Sequence, residues 1–145
     1  MPGLEALYRE IILAHYRSPR NRGQLEPPAV SAEGHNPLCG DEITVWLDVR
    51  DGTVAEVRFS GSGCSISQSS ASMMTSAIKG RTLDEVRAIV ARFKQMMTVE
   101  EGAEGADDVP LGDLEALKGV VKFPVRIKCA TLAWNTLVDA LATAG

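Results

Sequence analysis

The sequence lacks several features that mark large classes of protein. Its 145 residues include only three cysteines, which lie far apart, and it has no Cys-x-x-Cys pair. The first residues show neither the charged start nor the apolar stretch of a secretory signal, and no apolar run reaches the roughly 20 residues of a membrane span. We therefore expect a cytoplasmic protein with reduced thiols, no disulfide framework and no membrane partner.

The chain also lacks an excess of positive charge. Its formal net charge is -4, and no stripe of lysine and arginine stands out, so a nucleic-acid partner is not expected. Apolar residues make up 45% and charged residues 23% of the chain, as is typical of a globular protein. The length fits one hydrophobic core. We expect a single domain over residues 1–145.

The most regular pattern in the sequence predicts a β-hairpin. Apolar and polar residues alternate over 43–49, with Ile43, Val45, Leu47 and Val49 on one face. Asp51-Gly52 follows, and this pair favours a tight turn because both residues tolerate positive φ. A returning strand is predicted at 53–60, with its inner face formed by Ala55, Val57 and Phe59.

Apolar residues at helical spacing predict the other main elements. Thr82 and Glu85 form a capping-box pattern that opens one of the helices. A short strand is predicted at 29–34, and helices are predicted at 4–16, 65–79, 82–97 and 125–142.

One stretch, residues 98–118, differs from the rest in composition. It is acidic and contains several glycines, which is typical of an exposed loop or insertion. A short helical turn is predicted near its end, at 113–118.

The three thiols lie where predicted elements begin or end. Cys39 belongs to a loop that leads into the first hairpin strand, Cys64 precedes a predicted helix, and Cys129 lies in the predicted first turn of another. A helix N-terminus favours the thiolate. With Asp41, two residues after Cys39, the set offers three sulfur atoms and one oxygen to a tetrahedral metal. Because a carboxylate is a harder ligand than a thiolate, we expect a metal site built for ligand exchange.

Other interpretations of these residues remain open. A lone cysteine is often simply a small buried apolar residue, so the three thiols could be unrelated core positions. His35 lies near Cys39 and is an alternative ligand, whereas His15 lies on a helix margin that favours a structural role. A thiol hydrolase built on Cys64 and a histidine is a further alternative.

Four runs of the sequence resemble the motifs of the IscU/NifU-type iron–sulfur cluster assembly scaffolds. They are residues 15–23, which include His-Tyr and Ser-Pro-Arg-Asn-Arg-Gly; residues 36–41, Asn-Pro-Leu-Cys-Gly-Asp; residues 63–67, Gly-Cys-Ser-Ile-Ser; and residues 129–132, Cys-Ala-Thr-Leu. The resemblance covers nearly the whole chain except 98–118.

The resemblance implies an α+β fold in which helices pack on a small three-stranded antiparallel sheet. It implies that zinc, or a transient [2Fe–2S] cluster or iron, is bound by Cys39, Asp41, Cys64 and Cys129. It also implies two kinds of partner. One is a PLP-dependent cysteine desulfurase that delivers sulfur, and the other comprises acceptor apo-proteins or other assembly factors.

The chain departs from the IscU branch at two places. Lys128 stands where that branch has a histidine, and residues 122–126, Lys-Phe-Pro-Val-Arg, stand where it has a Leu-Pro-Pro-Val-Lys chaperone-docking motif. The insertion at 98–118 and the Arg126-x-x-Cys129 arrangement are similar to the SufU branch. Members of the SufU branch resemble zinc-dependent sulfur acceptors. We therefore expect this protein to accept sulfur. We expect Cys39 to be the catalytic residue, because it lies on a Gly40-containing loop from which it could leave the metal, whereas helix starts hold Cys64 and Cys129. The alternatives are a zinc-dependent sulfurtransferase with no scaffold role and a structural zinc-binding interaction module.

Overall fold

The structure, a computed structural model, describes residues 2–37, 40–97 and 124–144 together with positions 114, 116, 117 and 120. Side chains are described from residue 9 onwards, except those at 124, 125 and 144. Among the described helices, none combines the length and apolar character that a membrane crossing requires.

The sheet has three antiparallel strands in the order of the chain. They are β1, Val30–Asn36; β2, Asp41–Arg50; and β3, Thr53–Ser62. Asp51 and Gly52 join β2 to β3 with φ values of 52° and 73°, which is the left-handed geometry that a tight hairpin needs. The predicted hairpin and the α+β fold class are confirmed, and the short strand predicted at 29–34 is β1.

One prediction for the inner face of β3 is wrong. Val57 and Phe59 are buried as expected, but Ala55 is exposed and Val54 is buried instead. The cause is a register shift, because Asp48 pairs with Glu56 while Val49 pairs with Val54. The shift passes over Ala55, and such a bulge reverses which side chains face the core.

Four described helices pack with this sheet and with one another. They are α1, Pro2–Arg17; α2, Ser65–Ile78; α3, Leu83–Met96; and α4, Pro124–Ala144. Helices α2 and α4 contact the sheet, and α1 and α3 contact α2. The capping box is confirmed, since the Thr82 side chain accepts from the Glu85 N–H and the Glu85 side chain accepts from the Thr82 N–H.

Buried polar contacts fix α2 against its neighbours. The Ser70 hydroxyl donates to the Ala130 carbonyl at 2.6 Å and accepts from the Trp134 indole N–H at 3.0 Å. On the other side of α2, Ser72 Oγ lies 2.8 Å from Nδ1 of the buried His15. Because α2 follows Cys64 directly and α4 contains Cys129, the contacts of Ser70 help to hold the helices that carry the two thiols together.

Most of the predicted acidic insertion at 98–118 lies outside the described residues. Its three described positions, Leu114, Ala116 and Leu117, have helical backbone and are at most 3% exposed. The predicted exposure therefore does not extend to these three positions, because their apolar side chains join the core. Elsewhere in the segment it stays a prediction.

Candidate metal centre

One end of the sheet gathers the residues of the candidate site. Asn36, the last residue of β1, pairs with Asp41, the first residue of β2. Beyond the end of β3, Gly63 leads to Cys64, which is the N-cap of α2. Helix α4 packs against β1 and β2 and brings Cys129 to the same end. Thus two strand ends, one helix N-terminus and one helix face meet here.

The structure brings three of the four predicted ligands together. One carboxylate oxygen of Asp41 and the sulfur atoms of Cys64 and Cys129 all lie within 4.8 Å of one another. Asp41 and Cys129 are buried, with 1% and 0% exposure, whereas Cys64 is half-buried. Among the residues that the structure describes, they form the one cluster of His, Cys, Asp or Glu side chains suited to a metal.

The Asp41 carboxylate shows that the site fits a cation. Its Oδ1 accepts a hydrogen bond from the Cys64 backbone N–H at 2.9 Å, but its buried Oδ2 has no hydrogen-bond partner. An unpaired buried carboxylate oxygen is costly, and a metal ion would satisfy it. Two thiols and a carboxylate are also ligands that zinc accepts.

The close approach of Asp41 depends on Gly63. Gly63 has a φ of +148°, and a Cβ at this position would collide with Asp41 Oδ1 and would lie 2.9 Å from Ser67 Oγ. A larger residue would therefore push the carboxylate away from Cys64. The Gly-Cys pair that opens α2 serves both the turn and the ligand geometry.

The two described thiols differ in their relation to helix ends. Cys64 caps α2 with extended backbone, at φ -72° and ψ 167°, so the positive end of the helix faces it as predicted. The prediction that Cys129 lies in a first turn is wrong, since α4 begins at Pro124 and Cys129 is its sixth residue. Only the first four N–H groups of a helix lack internal partners. Of the two described thiols, therefore, only that of Cys64 faces the positive end of a helix.

Arg126 supplies positive charge beside both thiols. The negative charge of Cys64, followed by a hydrogen bond to Cys129, raises the pKa of the Arg126 guanidinium above its ordinary value. Arg126 is three residues before Cys129 on α4 and so shares its helix face. Lys128 is exposed and next to Cys129 in sequence, and adjacent helical residues point in different directions.

The sequence analysis considered three further residues near or at the site, namely Cys39, His35 and His15. Cys39 lies outside the described residues, so its place in the site stays a prediction. His35 is 61% exposed and its Nδ1 lies 3.6 Å from Glu42 Oε1, so it is not part of the cluster. His15 is buried between Ser72 and Arg20, whose Nη1 lies 2.7 Å from His15 Nε2. The structural role predicted for His15 is confirmed.

Sequence reasoning missed one residue that contacts the cluster. The Asn36 side chain donates to the Cys129 sulfur at 3.7 Å. Asn36 is the first residue of the 36–41 motif, and this was the one feature of the sequence that could have drawn attention to it. No pattern in the sequence relates residue 36 to residue 129.

Comparisons with known proteins bear on this site. Residues 7–141 match the model of the NifU-like N-terminal domain. The chain is 46% identical over 139 residues to the zinc-dependent sulfurtransferase SufU of Bacillus subtilis, covering 96% of this chain and 92% of that protein. It is 38% identical over 138 residues to the iron–sulfur cluster assembly scaffold protein IscU of Streptococcus pyogenes, covering 95% and 84%.

A solved structure shows the same architecture. It is the crystal structure of a putative iron–sulfur cluster assembly scaffold protein for the SUF system from Fervidobacterium islandicum. It superimposes with a TM-score of 0.76 at 32% identity, over 91% of this chain and 94% of that one.

Proposed function

Because this chain belongs to the family of NifU-like N-terminal domains, we propose that it is an iron–sulfur cluster assembly protein that accepts sulfur at a zinc site. The unpaired, buried Oδ2 of Asp41 beside the thiols of Cys64 and Cys129 carries this proposal. The donor set suits zinc, and the relative named as a zinc-dependent sulfurtransferase is similar over nearly its whole length.

We propose Cys39 as the fourth ligand, with Asp41, Cys64 and Cys129 as the other three. Chain connectivity supports this, because two peptide units keep the α-carbon of Cys39 within about 7 Å of that of Asp41. Together the four residues offer three sulfur atoms and one oxygen, which matches tetrahedral coordination. Bound zinc would hold the thiols deprotonated and keep them in one orientation.

Cys39 is the proposed sulfur acceptor. Its thiolate attacks the terminal sulfur of a persulfide on a PLP-dependent cysteine desulfurase, a new S–S bond forms, and the partner's cysteine leaves as a thiolate. The transfer needs no external oxidant or reductant. Arg126, next to Cys64 and Cys129, stabilises the negative charge on sulfur during the exchange. Acceptor apo-proteins or other assembly factors then receive the sulfur in the cytoplasm, where thiols stay reduced.

The second candidate function is a scaffold on which a transient [2Fe–2S] cluster is assembled. The same side chains support it, because iron–sulfur clusters are held mainly by cysteine thiolates, and two of the compared proteins are named as scaffolds. In this role Asp41 is the ligand that is released most easily, since oxygen binds soft cluster iron less well than sulfur.

Desulfurase turnover with and without this protein tests the proposal. We expect the zinc-loaded chain to stimulate cysteine-dependent sulfide or alanine release, and Cys39→Ser to reduce that stimulation by at least about tenfold, because a hydroxyl does not accept sulfur from a persulfide. His35→Ala, a change four residues away at an exposed side chain, is the matched control and should stimulate fully. Equal stimulation by Cys39→Ser and the parent would contradict the assignment of Cys39.

A further inference from the structure

The two described thiols of the cluster have different surroundings. Cys64 is half-buried at a helix N-terminus, and its backbone N–H donates to Asp41. Cys129 is fully buried, and its sulfur accepts a hydrogen bond from Asn36 Nδ2 at 3.7 Å. An amide donor that points at a ligand sulfur is the kind of contact by which proteins orient metal ligands.

The fold holds Asn36 firmly in this position. It is 6% exposed and ends β1 directly opposite Asp41. Two residues earlier, Gly34 allows α4 to approach β1 so closely that a Cβ there would collide with Thr136 Oγ1 and lie 3.1 Å from a Leu132 methyl group. The strand and the helix that carry the two partners are therefore packed directly against each other.

We propose that Asn36 is a positioning residue of the metal site, whose N–H···S hydrogen bond holds Cys129 as the ligand that stays bound during exchange. This inference rests on the zinc site proposed above. The hydrogen bond fixes the direction of the sulfur lone pairs, which favours binding in one geometry. It also draws electron density from sulfur, which makes Cys129 a weaker nucleophile than a thiolate without such a donor.

The consequence is a division of roles between the thiols. Cys129, which is buried and hydrogen-bonded to a side-chain amide, anchors the metal, so the reaction with the partner falls to the other two thiols, of which Cys39 is the sulfur acceptor proposed above. Asn36 and Asp41 form one cross-strand pair, so both ends of the β1–β2 connection contribute to the site. Asp41 provides a ligand atom, and Asn36 acts through Cys129.

Asn36→Leu tests the proposal, because leucine keeps the approximate shape of the side chain and lacks the N–H. We expect its dissociation constant for Zn²⁺, measured by competition with a chelator, to rise about 10- to 100-fold. In the Co²⁺-loaded protein we expect the sulfur-to-cobalt charge-transfer band to move to lower energy, because the lone pairs lose their stabilising donor. Asn135→Ala, at an exposed position on α4, should change neither quantity.

Every outcome of these measurements either supports the positioning role of Asn36 or contradicts it. If Asn36→Leu lowers the melting temperature of the metal-free protein while its zinc affinity and cobalt spectrum match the parent, Asn36 is only a structural residue and the proposal is wrong. Asn36→Ala serves the same measurements if the leucine variant does not fold. If the parent and Asn135→Ala also fail to bind zinc, the proposed function itself fails, which is a distinct outcome.

Discussion

A variant with Cys39, Cys64 and Cys129 all replaced by alanine should be purified without zinc, whereas the parent should carry about one ion per chain. The chain has no other cysteine, so the variant removes every sulfur ligand and leaves Asp41 alone. Zinc bound by four such ligands contributes roughly 10–16 kcal/mol in small peptides, and one carboxylate cannot supply this. Metal analysis of the purified proteins measures the difference.

The same variant has a second readout and a control. A metal that binds only the folded state raises the melting temperature, so a chelator should lower that of the parent and leave that of the variant unchanged. His35→Ala should keep its zinc, because this side chain is exposed and outside the cluster. Zinc retained at one ion per chain by the triple variant would contradict the ligand assignment.

Trp134→Ala should lower the free energy of unfolding by about 3–5 kcal/mol, which is the usual cost of removing a large buried aromatic side chain. The indole ring is fully buried and stacks on Phe93, with ring centroids 4.2 Å apart and planes inclined by 11°. Its N–H also donates to Ser70. The substitution therefore leaves a cavity between α2, α3 and α4, and the buried Ser70 hydroxyl loses one of its hydrogen-bond partners.

Two variants on α4 separate these contributions. Trp134→Phe keeps most of the stacking and loses the N–H donor, so we expect a loss of about 1 kcal/mol plus a small packing term. Val138→Ala, one turn further and 40% exposed, should cost less than about 1 kcal/mol. Denaturant unfolding measures all three. A Trp134→Ala protein as stable as Val138→Ala would refute the account of the core.

The sequence correctly predicted the elements whose geometry depends on neighbouring residues. Alternation over 43–49 and the Asp51-Gly52 pair define a hairpin because strand period and turn geometry are properties of neighbouring residues. The Thr82 capping box is local in the same way. These features need no information about distant parts of the chain, and the structure contains them as expected.

Features that depend on pairing between elements were missed. The bulge that exposes Ala55 follows from the register of β3 on β2, which alternation in one strand does not encode. Cys129 was predicted in the first turn of its helix but lies beyond it, since α4 begins at Pro124, one residue before the predicted start at 125. The hydrogen bond of Asn36 joins residues 93 positions apart and follows from the packing of α4 on β1.

The candidate site was predicted in part from local motifs and depends in part on contacts between distant elements. The four ligand positions came from separate motifs, and the meeting of Asp41, Cys64 and Cys129 within 4.8 Å agrees with them. It requires α2 and α4 to pack against each other, and the hydrogen bonds of Ser70 with Ala130 and Trp134 are part of that packing. Sequence therefore indicated which residues to examine, and tertiary packing shows how three of them are brought together.

X-ray absorption at the zinc edge of the purified protein determines directly which atoms bind the metal. With Cys39, Asp41, Cys64 and Cys129 as ligands, the first shell should contain three sulfur atoms at about 2.3 Å and one oxygen at about 2.0 Å. Asp41→Ala should keep the three sulfur atoms, with water or another light atom in the fourth position. A first shell of the parent without sulfur, or one with fewer than three sulfur atoms, would contradict this set of ligands.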